Sequence, residues 1–412
     1  MKKFWSFTLM AVLIMTLIAG CGKDKPEETS AAETKAAVES QKEEKEKPKE
    51  EQKDGDNSPY KIACIAPLTG SAEEHGKSYK NAIEYKLAEI NAAGGIGGHM
   101  IECDFYDDKG DSKETVTVAS LVAENDEYLA CFGPFSSTCA IAAAPTFIES
   151  GITLFAPSSS HEDFTNLGEY MVRGCNTSEI QQRFYAKFMY NFYGAKNVVF
   201  LYLNDDAGNS SKDYFQEFFE ELGGSVLSAE SYEKEQKDFN ALLTNAKALD
   251  PEVLVVYGGY SDVASIILQA KNLEIEAPVM TFGAAQQQGL LDIVGTEGDG
   301  TLIMTALDLD ADTPQLKAFS EGFMKEYNVE SINSHVLNMY DGITCFADAL
   351  TACGPDRAAI AEYMRNCTVE GLCGSYEVVD GDPNKPMGVV TIQDGQFVPY
   401  RTVNPDYTGN VD

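Results

Sequence analysis

Two serine-rich stretches hold the side chains best placed for chemistry. Residues 133–145 read GPFSSTCAIAAAP, with Ser136, Ser137 and Thr138 in a row, and residues 156–164 read APSSSHEDF, with Ser158 and Ser160. A serine can act as a nucleophile, cradle a phosphate, cap a helix or seat another ligand. A nucleophile elbow needs G-x-S-x-G, and PFSST lacks both glycines. A triad also needs a histidine, and His75, His99, His161 and His335 lie in no context that supplies a serine or aspartate partner. Phosphate loops of the G-x-x-x-x-G-K-[ST] or G-x-G-x-x-G type open a helix, whereas GGIGGH at 94–99 closes one. Capping and ligand seating remain, and they are compatible. A serine before CAIAAAP satisfies free N–H groups at a helix start. That same helix end carries about half a positive charge and can hold a carboxylate without any lysine. Two such loops, each opening a helix, favour a ligand seat.

These loops are set by an alternating pattern. YKIACIA, MIECDFYDD, YLACFG and ITLFAP read as strands, and the segments between them read as helices. The cycle restarts after about residue 176 with KNVVFLYLNDD, SVLSAESY, EVLVVYGG, APVMTFG and GTLIMTAL as strands. Strands alternating with helices of this length mean βαβ units and parallel sheets. TPQLKAFSEGFMKEYN and NSHVLNMYDGITCFADALTACG are expected to pack back on the first sheet, and the tail reads as β hairpins. Ligands of open parallel sheets sit beyond the carboxyl ends of the strands. The loops to watch are therefore GPFSSTC, APSSSHEDF, LNDDAGNSS and YGGYSD.

The 412 residues include 65 acidic and 31 basic ones, a net charge of −34. Nucleic acid and anionic lipid need clustered Lys and Arg, so neither is an expected partner, and the acidity reads as solubility. The N-terminus reads MKKFWSFTLMAVLIMTLIAGCGKDK: two lysines, an apolar run of about 15 residues, then small residues before Cys21. That is an export signal, and the run is short for a membrane span. Residues 22–58 are a mixed-charge, low-complexity tether with almost no large apolar side chain. No Cys/His spacing suggests zinc, and no metal or cofactor is expected. Cys64 and Cys131 read as buried small hydrophobes. Cys353, Cys367 and Cys373 lie close enough in sequence to allow one disulfide among them.

Taken together, the chain resembles the leucine/isoleucine/valine-binding family, the type I periplasmic solute-binding proteins of ABC importers. The likeness runs over 59–400. It is carried in order by IACIAPLTGSAEEHGKSYKNAIEYKLAEINAAGGIGGHMIECDFYDDKGD, FSSTCAIAAAP, GITLFAPSSSHEDFT, DFNALLTNAKALDPEVLVVYGGYSD and YDGITCFADAL. Ile18-Ala19-Gly20-Cys21 likewise resembles the bacterial lipoprotein signal, in which the cysteine is lipidated. The resemblance implies an α/β fold of two Rossmann-like lobes with parallel-rich sheets, joined by three hinge crossovers near 176, 306 and 375. It implies a signal peptide over 1–20 and a lipidated Cys21 with its tether over 21–58. The N-terminal lobe would comprise 59–176 plus 307–375, and the C-terminal lobe 177–306 plus 376–412. The implied function is that of a monomeric, lipid-anchored, extracytoplasmic binding protein. It would capture an amino acid or related small carboxylate and deliver it to an ABC permease, with no chemistry. A receptor lipoprotein signalling to a membrane partner is the alternative.

Position by position, the resemblance puts the carboxylate contact on Ser137, with Ser136 nearby as a cap. The next loop contributes Ser158 and Ser160. His75 stands for an aromatic before the first helix, and Tyr260 for the Tyr of G-G-Y. Two family features are missing. The acid that pairs with the ligand ammonium falls on Gly283, and the Tyr of D-x-x-Y-G falls on Ala207. Asp205 or Asp206 could supply the missing charge, and the pocket would then be wider than one for leucine. A register a few residues different would instead let Gln286, Gln287 or Gln288 complete the site.

Overall fold

The computed structural model describes residues 57–305 and 314–403. The expected signal, Cys21, nearly all of the tether and the crossover near 306 lie outside the described residues. The first lobe alternates strands and helices: β1 Tyr60–Ala66, α1 Glu73–Ala92, β2 Ile101–Asp107, α2 Ser112–Ala123, β3 Tyr128–Phe132, α3 Ser137–Ser150, β4 Thr153–Ala156, α4 Asp163–Asn166 and β5 Met171–Arg173. These strands form one parallel sheet in the order β2-β1-β3-β4-β5. Ile62 to Ala66 are fully buried, and helices cover both faces of such a sheet.

The second lobe repeats the plan with α5 Ser178–Lys187, β6 Asn197–Leu203, α6 Asp206–Glu221, β7 Ser225–Tyr232, α7 Asn240–Leu249, β8 Val253–Tyr257, α8 Tyr260–Asn272, β9 Val279–Phe282, α9 Gln288–Val294 and β10 Leu302–Thr305. Its parallel strands run β7-β6-β8-β9-β10, the same winding as in the first sheet. In each sheet the order reverses beside the first strand. That opens a crevice between β1 and β3, and another between β6 and β8, at the carboxyl ends.

The chain then returns. α10 Pro314–Tyr327, α11 Ser334–Cys353 and α12 Arg357–Arg365 follow. Phe319, Phe323, Val336, Phe346, Ile360 and Met364 share a core with Ile62, Phe132 and Phe155, so all three helices pack on the first lobe, α10 and α11 as expected. β11 Cys367–Gly371, β12 Gly374–Val379 and β13 Asp382–Pro383 form a small antiparallel sheet. β14 Met387–Gln393 and β15 Gln396–Val403 extend the second sheet through antiparallel pairing of β14 with β10.

The third crossing differs from the expected position. Residue 375 lies inside β12, which pairs with β11 and buries Val378 in the first lobe's core. The chain joins the second sheet only at Met387, so the crossing is made by 384–386. The sequence pattern also passed over α5 and α12. α5 reads SEIQQRFYAK, too polar to announce a buried face, yet Phe184, Tyr185 and Ala186 are buried.

Candidate ligand-binding cleft

Helix starts bring the functional side chains together. Gly133 follows β3 with φ +96°, and a Cβ there would stand 1.9 Å from the Ile65 carbonyl oxygen, so the turn requires glycine. Ser136 then caps α3, its Oγ accepting from the Cys139 amide at 3.2 Å. Ser137 is the first residue of α3 and is 2% exposed. Its Oγ accepts from the His161 amide at 3.3 Å, which leaves its own proton free to donate. On the other lobe, Asp205 caps α6 and accepts from the Gly208 amide at 2.7 Å. α8 begins at Tyr260 after Gly259, and α11 begins at Ser334 after Asn333.

The second serine loop is fixed from below by Arg173 at the end of β5. Its guanidinium is fully buried and donates to the carbonyls of Ser159 at 3.0 Å and Glu162 at 3.2 Å. It also pairs with Asp382 at 2.6 Å. Ser158 Oγ accepts from the Tyr79 hydroxyl at 2.7 Å and lies 2.7 Å from His335 Nδ1. Ser160 Oγ accepts from the Ser178 hydroxyl at 3.0 Å, at the start of α5.

These groups surround one cavity of about 110 Å³. That is room for a small solute, since one water needs only about 10–15 Å³ on this measure. Its polar lining includes Ser136, Ser137, Ser158, Ser160, Asp205 and His335. Its apolar walls are Phe135, Tyr185, Tyr257, Phe282 and Met304. Among the described residues no Lys or Arg lines it. Residues at the starts of α3, α6 and α11 do, as does Gly259 just before α8. Four positive helix ends therefore converge on a cavity without a basic side chain.

Among the described residues, Asp205 is the one acidic side chain that lines the cavity. Burial pushes its carboxyl group up to about 6, against the stabilising hydrogen bond from Gly208. Burial also pushes His335 down to about 4, and it holds His75 well below its usual range, with His335 adding to the effect. Both imidazoles are neutral near pH 7.

The structure sorts the expected site residues. Ser136, Ser137, Ser158, Ser160, Asp205 and Gly283 meet in this cavity. His75 and Tyr260 line a wider mouth of about 270 Å³ that shares Phe135, Ser136 and Asp205 with it. His75 is buried, stacked on Phe135 with ring centroids 3.9 Å apart, and meets Tyr260 edge-on at 5.9 Å. Asp206 is exposed and lines neither space. The glutamines do not complete the cavity either. Gln287 bridges the lobes, meeting His75 Nδ1 at 3.0 Å and accepting from Ser78 at 3.3 Å. Sequence reasoning missed His335, Tyr185, Tyr257 and Phe282. Tyr257 and Phe282 end strands β8 and β9, a position that could have flagged them.

The lobes touch across the cleft. Lys234 donates to the Gly110 carbonyl. Ser210 donates to Glu162 at 2.7 Å, and the Gly289 amide donates to Glu74 at 2.9 Å.

Two lobes of equal winding around a polar-and-aromatic cleft define a solute-binding protein. Residues 59–396 match the family described as periplasmic binding protein, and the chain belongs to that family, in its type I, branched-chain amino acid group. A leucine-, isoleucine-, valine-, threonine- and alanine-binding protein of Pseudomonas aeruginosa is 27% identical over 318 residues, covering 76% of this chain and 84% of the relative. The crystal structure of a leucine binding protein from Thermotoga maritima superimposes with a TM-score of 0.79 at 26% identity, covering 84% of this chain and 99% of that one. A solute-binding protein of Rhodopseudomonas palustris, solved with 3,4-dihydroxybenzoic acid, has the same fold at a TM-score of 0.77, with 20% identity and coverage of 85% and 98%. The proteins it matches bind solutes, and this chain is not an enzyme.

Proposed function

We propose that this protein captures an amino acid, or a closely related small carboxylate, for an ABC importer. The observation that carries this reading is the pairing of Ser137 and Asp205 in one cavity, one from each lobe. Ser137 offers a free hydroxyl proton and a helix start to a carboxylate. Asp205 offers a half-buried negative charge to an ammonium group. A buried charge without a partner is costly, so the two ends of a zwitterion suit these two positions. Gly283 and Ala207 leave that part of the wall without large side chains, and aromatic rings surround it. The ligand on this reading is larger than valine or leucine.

The lobes divide at the crossings, as 59–176 with 314–383 and 177–305 with 387–403. Closing them around the ligand gives the permease a distinct shape to dock. Cys21 carries the lipid, and the tether holds the domain off the membrane on its outer face. Calorimetry with the twenty amino acids and simple carboxylates tests the ligand class. Tight binding of valine alongside no response to aromatic amino acids would refute the larger pocket. Metabolic labelling with a palmitate analogue, lost in Cys21→Ala, tests the anchor.

A further inference from the structure

A pair of thiols lies close together outside the residues that line the cleft. Cys345 sits on α11 and is buried in the first lobe's core. Cys367 opens β11, 22 residues on, and is only partly buried. Their Sγ atoms are 3.4 Å apart. A disulfide bond is about 2.05 Å long, so each sulfur needs to move by only about 0.7 Å. Sequence spacing pointed to Cys353, Cys367 and Cys373 and did not include Cys345. The helical residue is brought to Cys367 by packing of α11 against β11 and not by proximity along the chain.

We propose that Cys345 and Cys367 are a disulfide-forming pair that staples α11 to β11 outside the cytoplasm. The family works in that compartment, where disulfides persist. The two thiols differ in a way that sets the order of events. Cys367 is held below the usual thiol range by its hydrogen bond with Cys345, and that bond together with burial pushes Cys345 up. Cys367 is thus the accessible, attacking thiolate. It attacks one sulfur of an oxidised dithiol or glutathione disulfide, forming a mixed disulfide and releasing one thiol. Cys345 loses its proton and attacks the Cys367 sulfur, releasing the second thiol. Two protein thiols are oxidised by two electrons, and one external disulfide is reduced to two thiols.

The bond has a structural consequence. α11 carries His335 and Asn338 at the cavity and Asp341 beside the third crossing. β11 leads through β12 and β13 into that crossing. Closing a 22-residue separation restrains the unfolded chain and fixes the helix that lines the cleft.

The test uses the full chain, equilibrated with oxidised glutathione, alkylated, digested with trypsin and mapped without reduction. Lys and Arg positions leave Cys345 with Cys353 in one peptide and Cys367 with Cys373 in another, so single substitutions assign the bond. The expected result is a cross-link between these two peptides that survives in Cys353→Ser and Cys373→Ser and is lost in Cys345→Ser and in Cys367→Ser. The oxidised protein should also melt several degrees above the reduced one, with no such difference in Cys367→Ser. Alkylation of both Cys345 and Cys367 in the oxidised protein, or a cross-link retained without either of them, would overturn the proposal.

Discussion

Asn176 and Lys385 hold each other by two hydrogen bonds at the junction of the lobes. Asn176 Nδ2 donates to the Lys385 carbonyl at 2.9 Å, and the Lys385 amide donates to Asn176 Oδ1 at 2.8 Å. Asn176 lies on the first crossing and Lys385 on the third, and both are buried. One side chain thus does for two adjacent crossings what a β-ladder does for two strands. Asn176→Ala would strand two buried backbone groups. Each costs about 1–3 kcal/mol, so a loss of about 2–6 kcal/mol is expected in urea unfolding. A change within about 0.5 kcal/mol, the range of an ordinary surface substitution, would show that the pair bears no weight.

The same lysine carries a buried charge. Lys385 Nζ donates to Asp341 Oδ2 at 3.1 Å and Asn338 Oδ1 at 2.8 Å, with both ion-pair side chains no more than 6% exposed. It also lies over the Tyr376 ring at 4.6 Å. Lys385→Met would leave Asp341 buried without its cation, at a cost of about 3–5 kcal/mol. Adding Asp341→Leu should recover most of that loss. Denaturation of the two single variants and the double variant measures the coupling. Additive losses would mean that the two charges do not act as a pair.

Adjacent serines should separate binding from stability. Ser136 caps α3, so Ser136→Ala should cost about 1 kcal/mol of stability and leave ligand binding largely intact. Ser137 keeps a free proton toward the cavity. Ser137→Ala should therefore weaken binding by about tenfold or more, since a hydrogen bond to a charged group contributes about 1.5–3 kcal/mol. Calorimetry and thermal melts of both variants decide the matter, and equal affinity in Ser137→Ala and the parent would remove this serine from the site.

The contrast between Ser137 and His335 explains what the sequence made legible. Strand ends are visible in a one-dimensional pattern, and ligands of parallel sheets gather there. Ser136, Ser137 and Asp205 could be placed on that ground alone. His335 and Tyr185 reach the cavity from helices. α11 is buried nearly all round, so its periodicity does not mark the face toward the cleft. The third crossing was misplaced for a related reason. Nothing in GDPNKP marks it as a buried crossing, because lysine is seldom buried unless it is paired. Lys385 is buried only because Asn338 and Asp341, more than forty residues earlier, meet it there.

Asp205 gives the ligand reading its pH signature. Its carboxyl group titrates at about 6 in the unliganded protein, above the usual carboxylate range, because burial disfavours the anion. Folding of the empty protein is therefore favoured by this group at low pH, and that contribution is lost as pH rises through about 6. A ligand ammonium reverses the preference by stabilising the anion. Binding then expels the proton below pH 6, so affinity should rise with pH and level off above about 7. With a carboxyl group at about 6, affinity at pH 5 should be about tenfold weaker than on the plateau. His75 and His335 stay neutral over this range and add no slope of their own. Asp262, also raised to about 6, lies at the outer mouth and affects stability without facing the inner cavity. Asp205→Asn should bind more weakly and lose the pH dependence. A flat profile in the unmodified protein, measured by calorimetry from pH 5 to 8, would mean that the ammonium is held elsewhere or that the ligand has none.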